Sequence, residues 1–364
     1  MKKEKSCSIK TSIGGQALME GIMMRGPKRS AMAVRNPEGE MVIEEWDTKG
    51  VNRAKIFRLP IIRGVFGFAD SMISGYKCLM RSAEISGLEA LEEEERKAKA
   101  AKKAEKAAKR AAKKGIELPA EPEVKDESAE ETDGKKKSSA MTNIIMAVSL
   151  VFSLILVVGL FIFLPNFVGT LILGKNAATQ HPIWLSVISG FIKVFLLVAY
   201  MALVSLMKDI RRTFMYHGAE HKTIFCYEQG LELTVENVRN QKRFHPRCGT
   251  SFLILMMLVG MVVMIAVSYA LKVFLPSEII NNRYYYLLIR CACTLVLVPL
   301  MMGIGYELIK VAGKHDNVVT RIISAPGMWL QHITTLEPDD DMIECAIAAM
   351  EKVIPDDGSD KIAQ

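Results

Sequence analysis

The stretch TSFLILMMLVGMVVMIAVSYAL, Thr250 to Leu271, runs 22 positions without a charged residue. A helix rises about 1.5 Å per residue, so roughly 20 apolar residues cross a hydrocarbon core of about 30 Å. Such a helix satisfies its own backbone where there is no water to do so. Buried helices of large soluble proteins seldom run this far without charge. Three more stretches share the pattern: 143–164 is charge-free, 183–207 carries only Lys193, and 284–309 has an apolar core from Cys291 to Tyr306 between Arg290 and Glu307. Arg290 and Glu307 are placed near the interfaces, where they can snorkel. The reading is an all-α membrane protein with four transmembrane helices, a small α+β cytoplasmic N-terminal region and a helical cytoplasmic tail.

The sidedness rests on the loops. Half of the 364 residues are hydrophobic and 24% are charged, with a net charge of +7 and a mean hydropathy of +0.19, so apolar and charged residues are segregated. The charged tract 88–140 holds 14 basic and 14 acidic residues, so the surplus of positive charge lies elsewhere. The loop 208–249 has eight basic residues, whereas the outer loops 165–182 and 276–283 have one each, Lys175 and Arg283. Basic loops stay on the cytoplasmic side, which puts both termini and the middle loop there. The charge therefore reports topology and lends no support to a nucleic-acid partner; the expected partner is the lipid bilayer. Seven scattered cysteines fit a reducing compartment rather than a disulfide scaffold. The first 15 residues lack an apolar core, so no cleavable signal peptide is expected.

Four regions follow. Residues 1–87 form an N-terminal region with a hairpin about Asn36-Pro37-Glu38-Gly39 and an amphipathic helix from Arg58 to Leu88. That helix carries a stripe of Ile61, Ile62, Val65, Phe66, Phe68, Ala69, Met72 and Ile73, for the membrane surface or the helix bundle. Residues 88–140 are a charged low-complexity linker, helical over Glu89–Glu117 and then without order. Residues 141–311 are the membrane domain, and 312–364 the tail. In the tail, Ser324-Ala325-Pro326-Gly327 reads as a turn. Thr334 to Asp341 reads as a helix start, with the acids serving the positive end of the dipole rather than a metal. Met342, Ile343, Ala346, Met350 and Val353 mark its buried face. Four glycines between Gly14 and Pro27 suggest a backbone that turns tightly or approaches something closely.

The chemistry gathers in the loop between the second and third membrane helices. Tyr216-His217-Gly218-Ala219-Glu220-His221 continues the direction of the second. On a helix, His217 and His221 share one face, and H-x-x-E-H is the inverted zincin pattern, with two metal ligands and a general base. His245-Pro246-Arg247-Cys248-Gly249 then offers an H-x-x-C chelating turn. Three of the six histidines fall in this loop. His217, His221, His245 and Cys248 together would close a structural zinc site. With Cys248 off the metal, three histidines and a water would make a hydrolytic centre with Glu220 as base. Both readings stay open. Lys193, near the bilayer midplane, could instead line a polar path, the residue on which a small transporter would rest, or pair with Glu307.

The glycine-rich run Gly14–Pro27, the His217–His221 pentad, the His245–Cys248 knuckle and the tail motif Pro326…Thr334-Thr335…Glu337-Pro338-Asp339-Asp340 together resemble the YqhQ-like bacterial membrane proteins. The resemblance covers nearly the whole chain apart from 88–140. It implies a bacterial inner-membrane setting and a metal-dependent enzyme of unknown substrate. The expectation is a zinc-dependent hydrolase acting on a peptide or another membrane-proximal substrate, with the glycine-rich segment, including Glu20 and Arg25, folded over the site. The alternative is a non-enzymatic membrane scaffold or assembly factor with structural zinc.

Overall fold

The N-terminal segment forms a four-stranded antiparallel meander of order β1-β2-β3-β4: β1 Gly14–Leu18, β2 Gly21–Arg25, β3 Arg29–Arg35 and β4 Met41–Asp47. The expected hairpin closes β3 on β4, with Val34 opposite Val42 and Gly39 at φ 86°. Alternate side chains point to opposite faces of a strand, and here both faces of the sheet are covered, so β2 and β3 are apolar almost throughout. The computed structural model describes residues 9–48, 59–87, 148–174, 180–314 and 317–362. The charged linker 88–140, Arg58, Lys175 and residues 143–147 of the first apolar stretch lie outside the described residues. The chain divides into two units, Met1–Gly87 with Ile162–Gln364, and Leu88–Phe161. The described part of the second unit is helical from Val148.

The helices are α1 Ile62–Ile85, α2 Val148–Leu173, α3 Pro182–Val204, α4 Lys208–Glu228 and α5 Val235–Arg239. They continue as α6 Gly249–Phe274, α7 Ser277–Asn281, α8 Arg283–Lys314, α9 Val318–Thr334 and α10 Asp340–Glu351. Among the described residues, α2, α3, α6 and α8 are long and apolar enough to cross a membrane. Within the first unit Phe191, Phe195, Val262, Tyr269 and Val296 are exposed, as on helices solvated by lipid. The fold is that of a multi-pass membrane protein with a small N-terminal sheet and C-terminal helices.

The sheet is a shared floor. On one face Ile22, Met24, Ala31 and Ala33 pack with Tyr216 and Ala219 of α4 and with Met342, Ile343, Ala346 and Met350 of α10. The tail helix thus buries the face its sequence marks. On the other face Leu18, Met23, Met32 and Val34 pack with Cys78, Leu79 and Ile85 of α1. Residues 11 and 361 bridge the two ends of the chain, where the Thr11 hydroxyl donates to Asp360 over 2.8 Å.

Several local expectations are corrected. The α1 helix forms, and the two uses left open for its apolar stripe divide along it: Phe68 meets Phe252 of α6, while the closest packing is through small residues. Gly64, Gly75, Cys78 and Ser82 are buried, while Phe66, Met72, Ile73 and Tyr76 stay exposed. Small residues let backbones approach where lipid removes any drive to hide large ones: a Cβ on Gly64 would lie 2.8 Å from Tyr306 of α8. Residues 324–327 are no turn. They sit inside α9, where Gly327 rests on Ser251 of α6, so their small side chains serve helix contact. The tail helix begins at Asp340 with Asp339 as its N-cap, later than Thr334 suggests. The intervening residues run across α4 instead, Leu336 N–H donating to Phe214 O over 2.9 Å. Nor does α4 simply prolong α3, since the chain breaks at Ser205–Met207, with Met207 extended.

The membrane charges are also placed differently. Arg290 does not snorkel: it is 1% exposed, and its guanidinium donates to Asn166 Oδ1 (2.7 Å), to Ser186 Oγ (2.9 Å) and to Ser268 Oγ. One planar fork thereby ties α8 to α2, α3 and α6. Glu307 does not pair with Lys193, because its carboxylate holds Arg63 of α1 through both oxygens. Buried charge needs such partners to be tolerated.

Two tests follow. Arg290→Lys keeps the charge but cannot fork to three acceptors. It should lower the thermal unfolding temperature in detergent by an amount equivalent to about 1–3 kcal/mol, and unchanged stability would contradict the knot. A Cβ on Gly218 would lie 1.9 Å from the Leu336 carbonyl. Gly218→Ala should therefore destabilise by a comparable 1–3 kcal/mol or so, and a neutral effect in the same assay would mean that the 335–338 segment does not cross α4.

Candidate metal centre

The site is built on α4. Asp209 in its first turn complements the helix dipole. The helix stops at Gly230 (φ 69°), where Leu231 N–H returns to Cys226 O and Gly230 N–H to Tyr227 O, a left-handed cap that glycine accommodates. His217 and His221 fall one turn apart, with ring centroids 4.4 Å from each other. Cys248 arrives from the other side as the N-cap of α6, its Sγ accepting from Thr250 N–H over 3.4 Å.

One donor atom from each of His217, His221 and Cys248 lies within 4.8 Å of the others, with His217 Nε2 3.2 Å from Cys248 Sγ. Both rings are oriented from behind. His217 Nδ1 meets Thr334 O at 2.8 Å, and His221 Nδ1 meets Arg243 O at 2.5 Å. A carbonyl can only accept, so each Nδ1 carries the proton and each Nε2 keeps a lone pair for a ligand. Carbonyl contacts of this kind fix the tautomer of imidazoles that bind metal. Burial and the neighbouring His217 hold His221 below its ordinary pKa. Burial raises the Cys248 thiol, but His221 and the hydroxyl and N–H of Thr250 outweigh it and leave the pKa lowered. A His221 held towards its neutral form and a thiolate-prone Cys248 suit metal ligation.

Glu220 lies alongside, 5% exposed. Burial pushes its carboxyl up to about 7, against the pull of His217 and of the Gly15 N–H. Its Oε2 is buried without a hydrogen-bond partner. Gly15 makes this possible, since a Cβ there would lie 2.9 Å from the Glu220 side chain. The glycine-rich segment does approach something closely, and what it approaches is Glu220. No salt bridge of Glu220 to a basic residue of the loop is present among the described residues.

His245 is near but occupied. Its ring centroid is 5.6 Å from that of His221, and Nδ1 accepts from Arg247 N–H at 3.3 Å. Its Nε2 faces Glu228 at 3.7 Å. Glu228 in turn holds Arg247 and accepts from Thr11 N–H at 2.9 Å. Gln331, fully buried on α9, brackets the same residue: its Oε1 accepts from His245 N–H (2.7 Å) and its Nε2 donates to His245 O (2.9 Å). The structure thus brings together His217, His221 and Cys248 with Glu220 beside them, and sets His245 against Glu228. Sequence reasoning missed Glu228, Gln331 and the two carbonyls. Only the polarity of Gln331 within an apolar helical pattern signals any of them.

The basic loop is largely paired. Lys222, 3% exposed, bonds Glu337 and donates to Arg239 O over 2.8 Å. Arg212 forks to Glu20, Arg243 reaches Glu337 and Arg239 reaches Asp340. Glu20, at φ 50° in the β1–β2 turn, thereby ties the glycine-rich segment to α4.

Residues 59–356 match the family model described as a protein of unknown function, DUF1385. The chain is also 31% identical over 354 residues to the uncharacterized protein YqhQ of Bacillus subtilis (strain 168), covering 95% of this chain and 93% of that one. No solved structure matches the chain. The match to the family model takes in every span, the histidine pair and the knuckle, and the chain belongs to the DUF1385 family of proteins of unknown function.

Proposed function

We propose that His217, His221 and Cys248 hold a zinc ion and that the protein is a metal-dependent hydrolase acting at the membrane face. The observation that carries this reading is the pair of Nδ1–H···O=C contacts to Thr334 and Arg243, which leave two Nε2 lone pairs beside Cys248 Sγ. Two nitrogens and a sulfur suit zinc. The orphaned Glu220 Oε2 supports a catalytic rather than a closed structural centre, as does a His245 engaged by Glu228. Zinc bound there would supply Lewis acidity and activate water near neutral pH. Glu220, with its pKa near 7, takes up or returns a proton at Oε2 around neutrality, as a general base must. Cys248 caps a candidate span and Thr334 ends α9 against another, so a peptide or other acyl substrate would be met next to the bilayer. The setting is the bacterial inner membrane, with both termini and the site on the cytoplasmic side, because Lys and Arg concentrate in the 208–249 loop.

Metal analysis of the detergent-purified protein tests the centre. Wild type and Glu220→Gln should each carry about one zinc per chain, His217→Ala should lose most of it, and only wild type should restore the phenotype of a deletion strain. Absence of metal from wild type removes the reading. If Glu220→Gln complements fully while chelation unfolds the protein, the zinc is structural and the protein a scaffold. Orientation is tested by single cysteines at Lys242 and Tyr284 with an impermeant thiol reagent in intact cells. Tyr284→Cys should be labelled and Lys242→Cys protected, and equal labelling would overturn the proposed topology.

A further inference from the structure

A cleft of about 450 Å³ lies between the sheet and α1, lined by Ser12, Gly14, Gln16, Arg25, Ser71 and Ser74 among others. Its volume falls in the range of small-molecule sites, roughly 300–1,000 Å³. It opens towards α1 and shares Gly15 with the Glu220 site, but none of His217, Glu220, His221 or Cys248 lines it.

The lining has a sign. It contains no carboxylate, and the Arg25 side chain forms no hydrogen bond or ion pair among the described residues. The hydroxyls of Ser71 and Ser74 also lack partners there. A half-buried guanidinium with free hydroxyls and glycine backbone around it suits an anion of phosphate type, which arginine binds through two parallel donors.

The depth is set by α1. Its start packs on Gly303 and Tyr306 of α8, and Phe68 touches Phe252, near the first residue of α6, with ring centroids 5.3 Å apart. Ser71 and Ser74 lie three and six residues farther on, about 4.5 and 9 Å along a helix. The interfacial layers extend a hydrocarbon core of roughly 30 Å to roughly 40–45 Å, so with α6 crossing the core from its first turn these positions would fall at headgroup depth. The same turns of α1 expose Met72, Ile73 and Tyr76 at 55, 58 and 64%. A recess suited to an anion thus opens beside an exposed apolar face of α1.

We infer that this cleft binds the phosphate headgroup of an anionic phospholipid from the adjoining leaflet, with Arg25 as its charge partner and the acyl chains along the exposed face of α1. The inference concerns binding and does not rest on metal at His217, His221 and Cys248.

The test uses full-length protein in nanodiscs of phosphatidylcholine with added phosphatidylglycerol, then exchanged into detergent, with retained lipid counted by native mass spectrometry. Wild type should retain phosphatidylglycerol selectively, and Arg25→Gln should retain about tenfold less or lower still, the loss of one charge-assisted contact. Ser74→Phe, which fills the recess and leaves the charge in place, should lose it too. Both variants should keep wild-type thermal stability and metal content. Conversely, His217→Ala should lose metal and keep lipid, so failure of the metal reading is distinguishable from failure of this one. Equal retention by wild type and Arg25→Gln overturns the assignment, as does equal retention of the two lipids. Displacement of the lipid by millimolar inorganic phosphate would make the ligand a soluble phosphate and overturn the lipid assignment as well.

Discussion

Helix α4 buries Glu220, His221, Lys222 and Thr223 in succession, and a polar or charged group out of water costs several kcal/mol unless something satisfies it. Much of the polar architecture answers that constraint. The Gly15 N–H comes to Glu220, the Arg243 carbonyl to His221, and Glu337 to Lys222. Thr334, at the end of α9, serves His217. Segments from both ends of the chain and from the middle loop are thereby drawn to one helix. The sheet follows, because β1 must lie close enough to α4 for its glycine backbone to touch a carboxylate. Two imidazole Nε2 atoms and the Cys248 sulfur face one another there, beside a carboxylate oxygen with no hydrogen-bond partner.

Two solvents shape the rest. Facing water and the sheet, α10 hides Met342, Ile343 and Met350 as an amphipathic helix should. Helix α1 does the opposite, packing through Gly64 and Gly75 and leaving Phe66, Met72 and Ile73 outside. Arg290 obeys the same logic, since with no water to reach it sits inside and is bonded by neutral oxygens of three other helices. The basic loop 208–249 adds a further point. Arg212, Lys222, Arg239, Arg243 and Arg247 are paired with carboxylates within the protein. The sidedness rule counts Lys and Arg rather than net charge, so this pairing leaves the topology argument intact.

The spans, the hairpin and the buried face of α10 were legible because each follows from local periodicity. So was the pairing of His217 with His221, which needs only that residues 217–221 be helical. Cys248 could be read as a ligand from its knuckle, but His245, in the same knuckle, could not be told apart from it. Glu228 and Gln331 decide the place of His245, and Gln331 lies 86 positions away in the chain. The Ser324–Gly327 segment misled for a related reason. Small residues and a proline signal a turn in water, yet between packed helices they signal contact, and only the neighbour Ser251 distinguishes the two. The stripe of α1 left two uses open because its pattern fixes a helix but not what its apolar face meets.

X-ray absorption at the zinc edge of the purified protein tests the central claim most directly. The account expects one sulfur at about 2.3 Å and two imidazole nitrogens at about 2.0–2.1 Å, with one further light atom from solvent. A third imidazole in place of that atom would show His245 released from Glu228 and the centre closed, and a first shell without sulfur would show that Cys248 does not hold the metal. Either spectrum would contradict an open site built from His217, His221 and Cys248.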